Sequence, residues 1–565
     1  MIEFRDVSFA YAAGPGGQPR LAFEGADFTI HEGELVVVVG PTGSGKSTLL
    51  KCIPGLLPHT NAGTMRGRVV VDGRDTLQHV PRELAGVVGF VAQDPASSFV
   101  AATVEEEVAS GLDALGVDAS VRQRRVEETL DLMGLAQVRQ RPLRDLSGGQ
   151  QQRVAIGAVL AAGPRVLVLD EPTSALDPIA AEDVLSTLHR LVHDLGITVV
   201  VAEHRLERVI HHADGVVVLE DRQVWPLKDP AEAMATSPVF PPVIGLGRAL
   251  GWSPLPLSVR DARREARGLR QTLAAGPSPA TSGKRHSAVG AAAGGAASSA
   301  TASRATATSP APVASLQGVS IRRGGTLALR DVDLVVRPGE VVAVMGRNGA
   351  GKSTLLNALV GRLPVATGRV RLGELDPLGA GAAVVSRCAG LVPQDPGRIL
   401  EAESVDQQLA SADHRPGLTV GTSGALLDRL APGLPRDRHP RELSEGQRVC
   451  LALAVVLASA PALVLLDEPT RGLDYSTKRR LVGVLEDWAR RGHAVLLATH
   501  DVELVADVAT RVVVVAEGDV VTDGPAADVL TGSPAFGPQV AKVLHPRALL
   551  TVDEVVAALR ATSGP

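Results

Sequence analysis

Aromatic residues, cysteines and long apolar runs are all scarce in this chain of 565 residues. Phe, Trp and Tyr together make up 2% of it, against 45% hydrophobic residues. The interior must therefore be built from Val, Leu and Ala, the composition that buried parallel strands favour. The three cysteines, Cys52, Cys388 and Cys450, show neither metal-ligand nor redox spacing. An odd count suits a reducing cytosol, and all three read as small buried hydrophobes. An excess of positive charge is also missing. The formal net charge of -5 argues against nucleic acid as a main partner, since phosphate backbones call for a basic surface. The longest apolar run, Leu451 to Leu466, is interrupted by Pro461. It falls short of the roughly 20 residues a spanning helix needs, and reads as a buried helix end followed by a buried strand. The opening Met-Ile-Glu-Phe-Arg-Asp reads as a strand and lacks the apolar core of a signal peptide. Any membrane role needs a partner.

What is present is a duplication. Gly40-Pro41-Thr42-Gly43-Ser44-Gly45-Lys46-Ser47-Thr48 returns as Gly346-Arg347-Asn348-Gly349-Ala350-Gly351-Lys352-Ser353-Thr354. Gln93, Leu146 to Gln150, Asp170-Glu171 and His204 return in the same order as Gln394, Leu443 to Gln447, Asp467-Glu468 and His500. The spacing divides the chain into a motif-bearing half at 1–228 and a second at 315–524. Each is followed by an appendix, 229–273 and 525–565, that is itself repeated: Ser237-Pro-Val-Phe240 matches Ser533-Pro-Ala-Phe536. Between the halves, 274–314 collapses to Ala, Gly, Ser, Thr and Pro. Such a segment cannot bury enough surface to offset the entropy of ordering, so it reads as a flexible tether.

Alternation at Ile2, Phe4 and beyond predicts an antiparallel strand, whereas Leu35 to Val39, Val166 to Leu169 and Thr198 to Ala202 are continuously apolar. The latter read as central strands of a parallel sheet covered on both faces. The fold class expected for each half is α/β: a parallel core, a small antiparallel addition, a helical subdomain and a short helical tail.

Each glycine-rich loop follows a predicted strand and opens a helix, the context of a true phosphate loop. Its backbone N–H groups can turn inward onto phosphate oxygens, helped by the helix dipole. Lys46 and Lys352 would add a point charge, and Ser47 and Ser353 a hydroxyl to magnesium. Asp170 and Asp467, at the ends of buried strands, would orient magnesium's water. Glu171 and Glu468 would polarise the attacking water as general bases. His204 and His500, each just past a strand, suit a γ-phosphate contact that also orients water. Gln93 and Gln394, each followed by Asp-Pro, would bond to magnesium or the attacking water. Ser147, before Gly148-Gly149-Gln150, is placed as a helix N-cap.

The run Leu146-Ser147-Gly148-Gly149-Gln150 resembles the signature of ATP-binding-cassette ATPases, and the likeness covers nearly everything but the tether. It implies a head-to-tail pairing of the two halves within one chain. Ser147 and Gly149 would then meet the γ-phosphate held at Lys352, and Ser444 and Gly446 the one held at Lys46. Ser174-Ala-Leu-Asp177 and Arg471-Gly-Leu-Asp474 resemble the family's loops across that interface. Three departures mark the second half. Its signature carries Glu445 where glycine is usual but keeps Ser444 and Gly446, so the site is expected to survive, weakened by repulsion. Tyr11 is available to stack on adenine in the first half, but Val319-Ser-Ile-Arg-Arg323 offers no aromatic. Glu203 precedes His204, whereas Thr499 precedes His500.

Within that family the chain is most similar to the energy-coupling-factor group, on Gln93-Asp-Pro, Thr103-Val-Glu-Glu-Glu-Val, Glu203-His204-Arg205 and the repeated tail. The resemblance implies ATP and magnesium as cofactors, and a peripheral place on the cytoplasmic face of the cell membrane. It implies a transmembrane coupling protein docking beside Gln93 and Gln394, and a membrane substrate-binding component. The second half departs at its docking stretch, Asp395 to Leu409, which has no match to Thr103-Val-Glu-Glu-Glu-Val. Two alternatives share the motifs: a soluble tandem cassette protein acting on ribosomes, and the tandem ATPase of a sugar-type importer. The first should carry a long charged helical linker, unlike the tether here.

Overall fold

The computed structural model describes residues 1–12, 19–174, 176–275, 311–415 and 417–562. Most of the expected tether, 276–310, thus lies outside the described residues. The chain divides into two compact units, Met1–Glu265 with Gly472–Ser476, and Ala266–Arg471 with Thr477–Pro565.

In the first unit the strands are β1 (Ile2–Tyr11), β2 (Arg20–Ile30), β3 (Leu35–Val39), β4 (Gly63–Val71), β5 (Arg74–Asp75), β6 (Val88–Val91), β7 (Val166–Asp170), β8 (Thr198–Ala202), β9 (Gly215–Glu220) and β10 (Gln223–Val224). They form one sheet in the order β5-β4-β1-β2-β10-β9-β3-β8-β7-β6. The stretch β9-β3-β8-β7-β6 is parallel, and β2-β1-β4 is antiparallel. Every residue of β3, β7 and β8 is buried, which is why these strands are apolar without alternation. β1 shows the other pattern, with Ile2, Phe4, Val7 and Phe9 inside. Parallel neighbours need long crossovers. The one from β7 to β8 is the helix Pro178–His193, capped by Asp177 and buried through Ala181, Val184, Leu188 and Leu191. Each such Val or Leu contributes about 1.5–3 kcal/mol on burial.

The second unit repeats the plan with β11 (Ala314–Arg323), β12 (Thr326–Val336), β13 (Val341–Met345), β14 (Thr367–Leu372), β15 (Ala389–Val392), β16 (Leu463–Asp467), β17 (Ala494–Ala498), β18 (Arg511–Ala516) and β19 (Asp519–Pro525). β12-β11-β14 is a separate antiparallel sheet, and β15-β16-β17-β13-β18 is parallel with β19 antiparallel at its edge. The apolar run ending at Leu466 resolves into the helix Glu445–Leu457 and strand β16. Among the described residues, no helix is long and apolar enough to cross a membrane.

Register places the chemistry. Asp170 pairs with Ala202 and Asp467 with Ala498, so both acidic pairs lie at the carboxyl end of the parallel sheet. Each glycine loop leaves the same end, after β3 or β13, as do Gln93 after β6 and His204 after β8. In open α/β sheets that is the end where ligands bind.

The helix Val104–Ala114 starts with a capping box of Thr103 and Glu106. Glu107 is buried and accepts the backbone N–H groups of Val100 and Ala101 at 2.9 and 2.8 Å. The second unit lacks that sequence yet keeps a structural counterpart. Ser404 caps the helix Val405–Asp413, and Gln408 accepts from Glu401 and Ala402 at 3.0 and 3.1 Å. An amide oxygen replaces a carboxylate in the same bonds, so the loop geometry survives while the three acidic residues in the first turn of the first helix reduce to one.

Candidate functional site

Both glycine loops are held in conformations that a side chain would oppose. Gly40 and Gly45 have φ of 155° and 106°, and Gly346 and Gly351 have 151° and 110°. A Cβ on Gly40 would stand 2.3 Å from the Leu219 carbonyl oxygen, and one on Gly45 2.6 Å from that of Ala22. The loop is thus pressed against β9 and β2, as its copy is against Val515 and Ala328. Lys46 Nζ donates to the carbonyls of Gly40 and Pro41 at 2.8 and 3.0 Å. Lys352 repeats this with Gly346 and Arg347 at 2.7 and 3.1 Å. Burial lowers the pKa of Lys46, while Glu171 and Asp170 pull it back up.

Glu171 and Glu468 are the site's unexpected feature. Their φ values, 53° and 52°, are left-handed, which costs a bulky L-residue on the order of 1–3 kcal/mol. The peptide N–H of Glu171 donates to Ala202 O at 2.9 Å, and that of Glu468 to Ala498 O at 2.8 Å. These ladder bonds over-determine the strained turn. Nothing in residue type signals it, because the acidic pair alone reads as an ordinary strand end.

His204 Nε2 lies 2.7 Å from Glu171 Oε1, and His500 Nδ1 lies 2.9 Å from Glu468 Oε2. Each histidine expected to face phosphate thus lies against the candidate base, through Nε2 in the first unit and through Nδ1, without hydrogen-bond geometry, in the second. Gln93 Nε2 donates to Glu171 Oε2 at 2.9 Å, whereas Gln394 is exposed. In the second unit a hydroxyl reaches the glutamate instead, from Thr499 Oγ1 to Glu468 Oε2 at 3.3 Å. Burial opposes the ionisation of Glu171, but His204, Lys46 and Gln93 together hold its carboxyl below the usual range. Glu203, at the position of Thr499, is buried and accepts the Thr173 N–H at 2.8 Å. Burial raises its pKa.

Burial also raises Asp170 and Asp467, each counteracted by a hydrogen bond from Ser47 or Ser353. One oxygen of each aspartate, Oδ1, is buried without a hydrogen-bond partner among the described residues. A buried bare carboxylate oxygen beside a serine hydroxyl fits a divalent cation that takes its other ligands from phosphate and water.

Tyr11 is half-buried, its hydroxyl 3.0 Å from Thr48 Oγ1 and its ring edge-on to Phe9. The corresponding stretch of β11 exposes Arg322 and Arg323. Ser147 and Ser444 cap the helices Gly148–Leu160 and Glu445–Leu457, each in a capping box with the glutamine three residues on. Gly149 is required for packing, since a Cβ there would lie 2.8 Å from Ala180 Cβ. Glu445 Oε1 lies 2.6 Å from Arg471 Nε, an ion pair not foreseen from the sequence.

The family model described as ABC transporter matches residues 23–174 and 329–471, one span in each unit. The chain belongs to the ABC transporter ATPase family. A Streptomyces coelicolor protein named as an ABC transporter ATP-binding protein is 54% identical over 99% of this chain and 100% of its own length. A Methanosarcina mazei protein of the same name is 31% identical over 94% of this chain and 90% of its own. Among solved structures, an ATP-binding cassette in a dimeric post-hydrolysis state with ADP and phosphate is 30% identical, with a TM-score of 0.36. It is matched over 41% of this chain and 99% of its own. cbiO1 of Clostridium perfringens, part of the ABC transporter complex cbiONQ, is 29% identical, also with a TM-score of 0.36, over 41% of this chain and 92% of its own. ABC ATPase domains bind and hydrolyse ATP, and this chain carries two.

Proposed function

We propose that this ABC ATPase is the energy-coupling subunit of an importer of energy-coupling-factor type, driving uptake through a separate transmembrane partner. The observation that carries the reading is the recurrence, in both units, of a strained glutamate within 3 Å of a histidine ring nitrogen, beside a buried phosphate-loop lysine. A chain with two full sets of hydrolytic groups has the makings of a motor with two strokes. The Glu203-His204-Arg205 run, the acidic helix start at Thr103 and the repeated tails support the importer subtype.

In this reading Lys46 and Lys352 exchange their loop carbonyls for β- and γ-phosphate oxygens, and the loop N–H groups cradle the same phosphates. Asp170 with Ser47, and Asp467 with Ser353, would hold magnesium, which would supply positive charge against that developing on the phosphates. Glu171 and Glu468 accept the proton of the attacking water, and His204 and His500 orient both carboxylate and water. Gln93 fixes the second oxygen of Glu171. Tyr11 carries adenine at the first site. Ser147 and Gly149 serve the nucleotide at Lys352, and Ser444 and Gly446 the one at Lys46. Ser147→Arg should therefore impair hydrolysis at Lys352 more than at Lys46.

The membrane partner docks near Gln93 and Gln394 on the cytoplasmic face. Affinity purification of the tagged full chain from detergent-solubilised membranes tests this. A co-purifying membrane protein whose presence stimulates ATP turnover supports the importer. Recovery with ribosomes, and with no membrane protein, contradicts it.

A further inference from the structure

The internal repeat is a natural experiment on one pair of positions. Gly148 at the start of the first signature helix corresponds to Glu445, and Ser174 four residues past Asp170 corresponds to Arg471. Both positions change from neutral to charged, with opposite signs, in the same unit. The structure joins them: Glu445 Oε1 is 2.6 Å from Arg471 Nε, with the Glu445 side chain only 16% exposed. Arg471 is placed by the strand end itself, its N–H donating to Glu468 O at 3.3 Å, as the Ser174 N–H does to Glu171 O at 3.2 Å.

Glu445 is the first residue of the helix Glu445–Leu457, directly after its Ser444 cap. A carboxylate at that place favours the helix dipole, and by the same attraction competes with an anionic ligand for the helix N-terminus. We propose that Arg471 is a positioning residue, drawing the Glu445 carboxylate aside and cancelling its charge so that the second signature still accepts phosphate. The inference rests on the signature serving nucleotide, as set out above. It replaces the repulsion expected from Glu445 with a compensated pair.

The test is the ATP dependence of turnover by the full chain, at low and high salt, together with equilibrium ATP binding in a Glu171→Gln/Glu468→Gln background. Arg471→Ala should raise the KM at least fivefold, weaken binding in parallel, and recover partly at high salt, which screens the uncovered carboxylate. Arg471→Lys should lose less. Glu445→Gly/Arg471→Ser, which copies the first unit, should return KM to within twofold of the parent. Thermal melting of each variant separates misfolding from mispositioning, because mispositioning raises the KM of a chain that melts as the parent does. Parental KM in Arg471→Ala, or a double variant no better than the single, overturns the inference. Ser444→Arg separates the two layers. If it too leaves turnover intact, the signature does not serve nucleotide. If it abolishes turnover while Arg471→Ala is silent, only the positioning role fails.

Discussion

His204 and Glu171 meet at 2.7 Å, side chain to side chain, across the ends of two neighbouring parallel strands. His500 and Glu468 repeat the contact at 2.9 Å. Histidine is the main attractive influence that keeps Glu171 ionised against its burial. His204→Ala should therefore raise the pKa of Glu171, moving the acid limb of the turnover profile towards neutral pH. It should lower turnover at its site by about 10²-fold, with ATP affinity little changed. The pH dependence of kcat measures this directly.

The two glutamates are held from their other sides by different residues. Gln93→Ala should slow hydrolysis at the first unit more than Gln394→Ala does at the second, since Gln93 bonds Glu171 at 2.9 Å and Gln394 is exposed. Thr499→Val should have the complementary effect, removing the 3.3 Å bond to Glu468. Single-turnover measurements with the opposite glutamate changed to glutamine separate the units.

Loop glycines should differ in tolerance. At Gly45 a Cβ meets the Ala22 carbonyl oxygen at 2.6 Å, whereas at Gly43 it meets nothing within 4 Å and only φ of 82° opposes it. Gly45→Ala is expected to cost about 2–3 kcal/mol and Gly43→Ala about 1 kcal/mol. Denaturant titration, with ATP binding as a second readout, ranks them.

Much of this was legible in the sequence. The glycine loops, lysines and acidic pairs stand at spacings set by strand-loop-helix geometry, and continuous Val and Leu runs identify the parallel core. The left-handed Glu171 and Glu468 were not legible, because a backbone dihedral held by the next strand leaves no mark on residue type. Gln408 was missed because it does the work of Glu107 with a different charge. The Glu445–Arg471 pair was missed because its members are distant in sequence and join only once β16 and the signature helix are packed.

A histidine cluster outside the nucleotide sites gives a stability prediction. His189 and His193, on the helix Pro178–His193, lie 4.1 Å apart ring to ring, His189 meets His212 edge-on at 5.2 Å, and His212 lies 4.0 Å from His211. Burial and the neighbouring imidazoles push His212 down to about 4, against an upward pull from Glu182. The unfolded chain therefore binds more protons between pH 6.5 and 4, so this stability is present above 6.5 and lost as pH falls. After solvent screening the loss should be on the order of 1 kcal/mol. His212→Asn should flatten the pH dependence of urea unfolding over that window.

The central claim is that two glutamates, each strained and set against a histidine, are the bases of two ATP-hydrolysing sites. ATP turnover and ATP binding by the Glu171→Gln/Glu468→Gln chain test it most directly. Binding should persist while turnover falls by at least about 10²-fold. Turnover at the parental rate, with nucleotide bound as before, would contradict the account.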